Sequence, residues 1–244
     1  MRLEVSSLSE IGLKRTYNED AVLVWQDDAC SVFAVADGMG GCKNGGQASR
    51  AVTEHLIHWL MQPGQCWDGI AAFMYAAEAE LRAVNDHILT TFGRETPTGS
   101  TCVLAAVQGE SLGIYSVGDS RAYLLRGLRL TPLTHDDVWE NQESVRRLYS
   151  KRERIQHPDY GKLVQAVGLR KSWYGTILTE QLHHNDVLLL CSDGVYKPCP
   201  HWVLFQAAIH CRLRGPEIAA RMLRQAVYRR GAGDNLSIIF IRFL

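Results

Sequence analysis

The sequence has no long apolar run, no excess of either charge and no apolar leader. Its apolar runs fall short of the ~20 residues that a helix needs to cross a bilayer, so we expect no membrane span. The first residues also lack the apolar core of a signal peptide. Lys and Arg together number 26, and Asp and Glu together number 26. This balance gives no general attraction for nucleic acid or anionic membranes, and we expect neither as a partner.

Paired cysteines are also missing. The seven cysteines are scattered along the chain and form no Cys-x-x-Cys motif. This pattern favours buried thiols over disulfides. Because free thiols are typical of a reducing compartment, the expected location is the cytoplasm.

Several catalytic motifs of other enzyme classes are absent. No cysteine is followed six positions later by arginine, as the phosphate loop of the cysteine phosphatases requires. The sequence has no Gly-x-Ser-x-Gly elbow, and it has no Gly-x-x-x-x-Gly-Lys loop or His-Glu-x-x-His helix. These mechanisms are therefore not indicated.

The residues that are present suit one large domain. The composition is 46% hydrophobic, and no repeat or linker divides the chain, so residues 1–244 are predicted to form a single domain. Apolar spacing predicts helices near residues 45–62, 68–92, 201–212 and 216–229, with Gly93 ending the second and β runs elsewhere. Because these helices come in pairs, a sheet-on-sheet core with helices outside is favoured over a parallel sheet.

Acidic residues stand at the ends of several apolar runs. These groups are Glu19 with Asp20, Asp37, Asp119, Asp193 and Asp234. A sheet can gather strand ends that lie far apart in sequence, and carboxylate oxygens are the ligands that Mg²⁺ and Mn²⁺ prefer. An Asp-Gly pair can equally be ordinary turn chemistry. Spacing alone leaves both interpretations open.

Short motifs in a fixed order give the chain a family resemblance. In sequence order they are GLKRTYNED at 12–20, VADGMGG at 35–41, TGST at 98–101, SVGDSR at 116–121, LVQAVG at 163–168, CSDG at 191–194 and DN at 234–235. Each motif is weak alone. The ordered set resembles the PP2C-type metal-dependent serine/threonine protein phosphatases of the PPM family, from about residue 5 to the C-terminus. The Asp-Gly-Met-Gly-Gly form is similar to the bacterial stand-alone branch.

The resemblance implies a fold, an activity and partners. The implied fold is α+β, a four-layer α-β-β-α sandwich of two packed antiparallel sheets flanked by helix pairs. The implied activity is hydrolysis of phosphoserine and phosphothreonine in proteins by a metal-activated water. The implied cofactors are Mg²⁺ or Mn²⁺, two ions bound tightly and a third more weakly. Phosphorylated proteins and a cognate serine/threonine kinase are the implied partners, and domains of this size also resemble phosphatases that accompany secretion-system kinases.

The resemblance also assigns ligands to the two tight ions. Asp37 is expected to bridge them. The carbonyl of Gly38 is expected to bind one ion, which Glu19 reaches through water. Asp193 and Asp234 are expected to hold the other ion.

Three further residues take supporting roles by the same resemblance. Asp119 is expected to hold the third ion together with Asp193. Asp20 is expected to orient bound waters from just outside the metal site. Asn235 is expected to fix the turn that presents Asp234.

Arg15 stands where the family keeps an arginine that binds the substrate phosphate. A planar guanidinium can hold two phosphate oxygens at once. The alternative is an ordinary surface arginine. Met39 departs from many eukaryotic members, which carry histidine there as a candidate general acid. The other candidates, each equally readable as a surface or loop histidine, are His135, His157, His183 and His184.

A polar segment at about residues 138–162 matches a variable flap that lies beside the catalytic cleft in the family. Its basic residues are Arg146, Arg147, Lys151, Arg152 and Arg154. This cluster is interleaved with acids, so it is also compatible with a solvated, charged helix.

Two functions are compatible with these observations. The first is an active phosphatase with the carboxylate set described above. The second is a catalytically silent family member that binds phosphoproteins as a regulatory module. Loss of metal carboxylates would favour the second function, and every expected position is filled here.

Overall fold

The computed structural model describes residues 1–39, 44–92 and 97–244. Gly40 and Gly41 of the glycine-rich motif lie outside the described residues, as do Cys42 and Gly93. The other six cysteines are free thiols, and all but Cys66 are buried. No helix in the described part of the chain is long and apolar enough to cross a membrane.

Within the described residues, ten strands form two five-stranded sheets in which all neighbours are antiparallel. The first sheet has the order β1 (Leu3–Glu10), β10 (Leu236–Phe243), β9 (Val187–Cys191), β6 (Arg121–Arg126) and β7 (Arg129–Pro132). The second has the order β2 (Asp20–Gln26), β3 (Ser31–Asp37), β4 (Cys102–Gln108), β5 (Ser111–Val117) and β8 (Thr176–Gln181).

Helix pairs cover the outer faces of both sheets. The helices are α1 (Gly45–Leu60) and α2 (Gly69–Thr91) on the second sheet, and α6 (His201–Arg214) and α7 (Pro216–Tyr228) on the first. All four begin and end within two residues of the predicted bounds. Together the sheets and helices make the four-layer α-β-β-α sandwich, so the predicted α+β fold is confirmed.

Each central strand is buried on both faces, which explains why these strands appear in the sequence as unbroken apolar runs. In β3, Val32 and Ala34 face the helices, whereas Phe33 and Val35 face the other sheet. The same alternation holds in β9 and β10, whose inner residues pack between the sheets. Burial of each large side chain contributes about 1.5–3 kcal/mol. The core between the sheets therefore fixes their relative position.

The antiparallel topology brings the acidic groups to one end of the sandwich. In an antiparallel sheet, the start of one strand lies beside the end of the next. The starts of β2 and β4 thus lie beside the ends of β3 and β5 in one sheet. In the other sheet, the start of β10 lies beside the end of β9. The register pairs Asp20 directly with Asp37, which confirms this placement for the first two groups.

The polar segment at 138–162 folds back on itself. It contains a 3₁₀ turn (Trp139–Asn141) and the short helices α3 (Glu143–Leu148) and α4 (Lys151–Gln156). Its two ends meet in a β-bridge between Val138 and Leu163. A capping box of Ser150 and Glu153 starts α4. The ring of Trp139 stacks on the ring of His157, with 4.0 Å between the ring centroids. We call residues 138–162 the flap segment.

Candidate active site

The end of β3 is fixed by backbone contacts around Asp37. Its N–H donates to Thr101 Oγ1 at 2.9 Å, and the N–H of Thr101 donates to the Asp37 carbonyl at 2.9 Å. The N–H of Gly38 donates to the Glu19 carbonyl at 3.0 Å. A Cβ at Gly38 would lie 2.2 Å from the Gly45 carbonyl oxygen, so only glycine fits this close approach. Asp37 is thereby held next to the turn that carries Glu19.

Asn235 connects the first and last acidic groups of the chain. Its side-chain oxygen accepts from the N–H of Glu19 at 3.0 Å, and its amide nitrogen donates to the carbonyl of Tyr17 at 2.9 Å. From the family resemblance, Asn235 was expected to fix the turn that presents Asp234. In the structure its side chain instead holds the Glu19 turn, although its own N–H does donate to Asp234.

Asp20, at the start of β2, lies behind the cavity and links the second sheet to the first. Its Oδ2 accepts from the hydroxyls of Ser192 and Ser237, each at 2.7 Å. Its Oδ1 is buried and has no hydrogen-bond partner within the described residues. An unpartnered buried carboxylate oxygen is costly unless water or a cation completes it.

Asp193 and Asp119 approach each other from different sheets. Asp193 opens the one-turn helix α5 (Asp193–Tyr196) after β9, and Asp119 follows β5. The ammonium of Lys197 lies 2.5 Å from Asp193 Oδ2 and 3.4 Å from Asp119 Oδ2. The hydroxyl of Tyr196 donates to the Asp119 carbonyl at 2.9 Å.

A cavity of about 140 Å³ collects these side chains. Most of the predicted site residues line it, namely Arg15, Glu19, Asp37, Gly38, Asp119, Asp193, Asp234 and Asn235. Of the predicted set, only Asp20 does not line it and instead supports it from behind. Gly161 of the flap segment and Leu163, which directly follows that segment, also line the cavity. The structure therefore gathers residues from six separate parts of the sequence.

Burial, reinforced by neighbouring carboxylates, raises the pKa values of three acidic residues at the site. Asp37 faces the cavity on one side and protein on the others, and this burial raises its pKa well above the usual range. The carboxylates of Asp20 and Asp193 act on Asp37 in the same direction. Burial raises the pKa of Asp20 and of Asp119 to about 6 in each case. Such a site favours a bound cation, which would stabilise the ionised carboxylates.

The donors at the cavity suit a hard divalent cation. They are carboxylate and carbonyl oxygens, which Mg²⁺ and Mn²⁺ prefer. Among the described residues, no three His, Cys, Asp or Glu side chains are arranged to hold a metal ion as they stand. Two cations of the chain contact the carboxylates instead, because Arg15 lies 2.7 Å from Asp234 and Lys197 contacts Asp193. Metal binding would require these pairs to rearrange.

Three residues at the site were not predicted from the sequence. Ser192 and Ser237 bind Asp20, and Lys197 contacts two of the acidic residues. The spacing of Lys197 four residues after Asp193 on a helical turn is a sequence signal for the second of those contacts. Nothing in the local sequence indicates the contact with Asp119, which is 78 residues away.

A second cavity of about 1030 Å³ adjoins the first and shares Lys197 with it. Its other lining residues come from β6, the loop after β7, the flap segment, the start of α6 and other segments, and include His135, Asn141, Arg146 and His201. Met39 lines the smaller cavity, and none of the described residues that line it is a histidine. Of the four candidate histidines, His135 is the one that lines the neighbouring cavity.

Comparison with known proteins identifies the relatives of the chain. A model of the family described as Protein phosphatase 2C matches residues 14–226. The chain is 30% identical over 243 residues to the serine/threonine protein phosphatase PstP of Mycobacterium tuberculosis. That match covers 97% of this chain but 44% of the relative, so the chain spans less than half of PstP.

Solved structures of similar proteins share the whole fold. PppA, described as a key regulatory component of T6SS in Pseudomonas aeruginosa, is 28% identical with a TM-score of 0.82, covering 100% of this chain and 99% of that one. The catalytic domain of PstP in complex with two manganese ions is 28% identical with a TM-score of 0.76, covering 98% and 97%. The family match, the fold and the gathered carboxylates agree, and the chain belongs to the protein phosphatase 2C family.

Proposed function

We propose that this chain hydrolyses phosphoserine and phosphothreonine in proteins with two bound Mg²⁺ or Mn²⁺ ions. The observation that carries the proposal is the gathering of Glu19, Asp37, Asp193 and Asp234 at one cavity. In a member of this family, that set supplies the oxygen donors of a two-metal site. The manganese ions bound to the similar PstP catalytic domain support the same cofactor here.

The family resemblance implies which residues would hold each of the two ions. Asp37 would lie between the ions, the Gly38 carbonyl and Glu19 would serve one ion, and Asp193 and Asp234 would hold the other. The bound pair of divalent cations supplies activation of water and neutralisation of phosphate charge. Fixed backbone contacts at both Asp37 and Glu19 reduce the reorganisation that binding requires.

Arg15 is positioned to bind the substrate phosphate. Its guanidinium lies at the cavity, with one nitrogen 2.7 Å from Asp234 and another 4.0 Å from Glu19. When the carboxylates bind metal, their charge is shared, and the guanidinium becomes available for phosphate oxygens. This position supports a substrate-binding role for Arg15 over a purely structural one.

The larger neighbouring cavity gives a protein substrate room to bind. When a phosphorylated side chain of the substrate enters the small cavity, the substrate residues on either side of it lie against the flap segment, including Arg146. We propose that residues 1–244 work as one domain in which the flap segment selects phosphoproteins. By similarity to PppA, the opposing kinase could belong to a secretion system. We also propose a cytoplasmic location, because the cysteine pattern favours free thiols.

The rival function is a silent module that binds phosphoproteins without hydrolysing them. It requires the phosphate-binding features but not the metal carboxylates. Retention of the complete carboxylate set at one cavity therefore favours the enzyme. A module of this kind would bind phosphoprotein in chelator as well as in Mn²⁺.

The test is metal-dependent turnover by the purified chain. Hydrolysis of an aryl phosphate and of a phosphoprotein is measured with Mn²⁺, with Mg²⁺ and with EDTA. We expect turnover with either metal, none with EDTA, and none in Asp37→Asn. Asp28→Asn, which changes an exposed loop aspartate away from the cavity, is the matched control and should keep full activity. Full activity in EDTA would contradict the proposal, and phosphoprotein binding without turnover would support the silent module.

A further inference from the structure

Lys197 occupies the position between two carboxylates that were expected to bind metal. Its ammonium lies 2.5 Å from Asp193 Oδ2 and 3.4 Å from Asp119 Oδ2. The resemblance assigns this same pair, Asp119 with Asp193, to the third and weaker ion. Among the described residues, Lys197 is the cation that forms an ion pair with Asp119.

The local fold directs the side chain to this position. The N–H of Lys197 donates to the Asp193 carbonyl at 3.0 Å, which closes one helical turn. Residues four apart on a helix lie on the same face, so the lysine side chain extends along Asp193. Tyr196, the residue before it, binds the Asp119 carbonyl and thereby holds the Asp119 loop within reach.

A further contact stabilises this arrangement from outside. The guanidinium of Arg121 lies over the Tyr196 ring at 3.6 Å and binds both oxygens of Asp136, at 2.8 and 2.6 Å. Tyr196 is therefore held by a ring contact on one side and a hydrogen bond on the other. These contacts support the turn that carries Lys197, and the lysine side chain, 52% exposed, extends from that turn to the two carboxylates.

Electrostatics disfavour a metal ion and this ammonium at the same place. The Asp119 side chain is only 6% exposed, so solvent screens its charge poorly. A divalent ion that bound both carboxylates would have to displace the ammonium or lie beside it. The tethered lysine has no association entropy to lose, whereas a free ion does. Two carboxylates that already contact an ammonium of the chain therefore do not fit a weakly bound third ion.

We propose that Lys197 replaces the third metal ion with a cation of the chain itself. The inference rests on the proposed two-metal function, because it concerns the position next to the two tightly bound ions. It implies that this enzyme works with two ions and that its metal requirement ends when those two are bound. Lys197 then neutralises Asp119 at all metal concentrations, whereas its contact with Asp193 rearranges when Asp193 binds one of the two ions.

The test counts bound metal instead of measuring turnover. Mn²⁺ is added to wild-type protein, Lys197→Ala and Lys197→Asp into the millimolar range, and free Mn²⁺ is measured by electron paramagnetic resonance. We expect two ions per wild-type chain and a third, weaker one in Lys197→Asp, with at least tenfold higher affinity than any third event in wild type. Lys197→Ala should show the third ion more weakly than Lys197→Asp. Lys171→Ala removes an exposed lysine elsewhere and should behave as wild type.

The outcomes separate this inference from the proposed function. Three ions in wild type would overturn the role of Lys197 and leave the two-metal site standing. Two ions in every variant would also overturn it, because the position between Asp119 and Asp193 would then bind no metal even without Lys197. No bound ion in wild type would overturn the two-metal proposal itself. Thermal melting in EDTA establishes that each variant is folded before the ions are counted.

Discussion

The side chain of Asn235 holds the backbone of Glu19, 216 residues away in the sequence. The side-chain oxygen accepts from the Glu19 N–H at 3.0 Å. The same side chain donates to the Tyr17 carbonyl at 2.9 Å, so the turn that leads into Glu19 is fixed at two points. One amide thus ties the first acidic group of the site to the last.

Replacing this amide should weaken metal binding without removing a ligand. Residues that orient metal ligands typically contribute 10–100-fold in affinity. We expect Asn235→Ala to raise the Kd for Mn²⁺ by about 10-fold or more, measured by calorimetry. Asn141→Ala, which removes an amide in the flap segment, should leave the Kd unchanged. Equal Kd values for Asn235→Ala and wild type would show that the Glu19 turn is held by other contacts.

Much of the fold could be predicted because its signals are local. Apolar spacing predicted α1 and α6 to within two residues at each end, and Asp-Gly pairs marked the ends of β3 and β9. The family resemblance then supplied the architecture of two packed antiparallel sheets between helix pairs, and the order of the strands came from the structure. The capping box of Ser150 and Glu153, which starts α4, was not predicted, although the Ser-x-x-Glu spacing is a local signal for it.

The contacts that were not predicted cross between sheets. Ser192 and Ser237 reach Asp20 from the first sheet, and each is separated from it by more than a hundred residues. Lys197 reaches Asp119 across the same boundary. A single sequence shows which residues can make such bonds, but the pairing depends on how the two sheets pack. The partners of buried polar groups are therefore the part that required the structure.

Arg15 should matter for phosphate more than for metal. Loss of a charge-assisted hydrogen bond costs about 1.5–3 kcal/mol, which corresponds to roughly 10–100-fold in affinity. We expect Arg15→Ala to weaken inhibition by inorganic phosphate to that extent at saturating Mn²⁺. Arg15→Lys should recover only part of it, because an ammonium lacks the planar fork. Lys14→Ala removes an exposed neighbouring charge and serves as the control. Unchanged inhibition in Arg15→Ala would place Arg15 outside the substrate site.

The metal-free protein should lose stability as the pH rises. The folded-state pKa values of Asp20 and Asp119 are about 6, raised from 3.8 mainly by burial. A raised carboxyl pKa gives stability that is present below about pH 4 and is lost as the pH rises through about 6. In EDTA we therefore expect the free energy of unfolding to fall between about pH 4 and pH 7, by on the order of 3 kcal/mol for each of the two carboxyls.

Bound metal should reverse this trend. A cation that binds ionised carboxylates in the folded state alone stabilises that state. Denaturant unfolding with saturating Mn²⁺ should show little decline over the same pH range. Asp119→Asn removes one of the titrating groups and should show a smaller decline in EDTA than wild type. A metal-free protein whose stability is flat or rises with pH would contradict the crowded-carboxylate explanation.

The structure separates the basic residues of the flap segment into groups with different roles. Arg154 donates to the Glu140 carbonyl at 2.6 Å and supports the segment itself. Arg147 pairs with Glu143 on the exposed face of α3, with both side chains more than 70% exposed. Arg146 is the member of the cluster that lines the larger cavity. Substrate selection should therefore depend on Arg146 in particular.

Neutralising Arg146 should impair phosphoprotein hydrolysis and spare small substrates. An aryl phosphate reaches the carboxylates without contacting the flap segment, whereas a phosphoprotein extends along the larger cavity. We expect Arg146→Ala to lower kcat/KM on an acidic phosphoprotein by about 3–10-fold, as loss of about 0.7–1.4 kcal/mol predicts. The effect should grow at low salt, because exposed charges are screened over about 10 Å at 0.1 M. Arg147→Ala removes the same charge one residue away and should leave both substrates unaffected. Equal losses in the two variants, or a parallel loss on the aryl phosphate, would show that the flap segment supports the fold and does not select substrates.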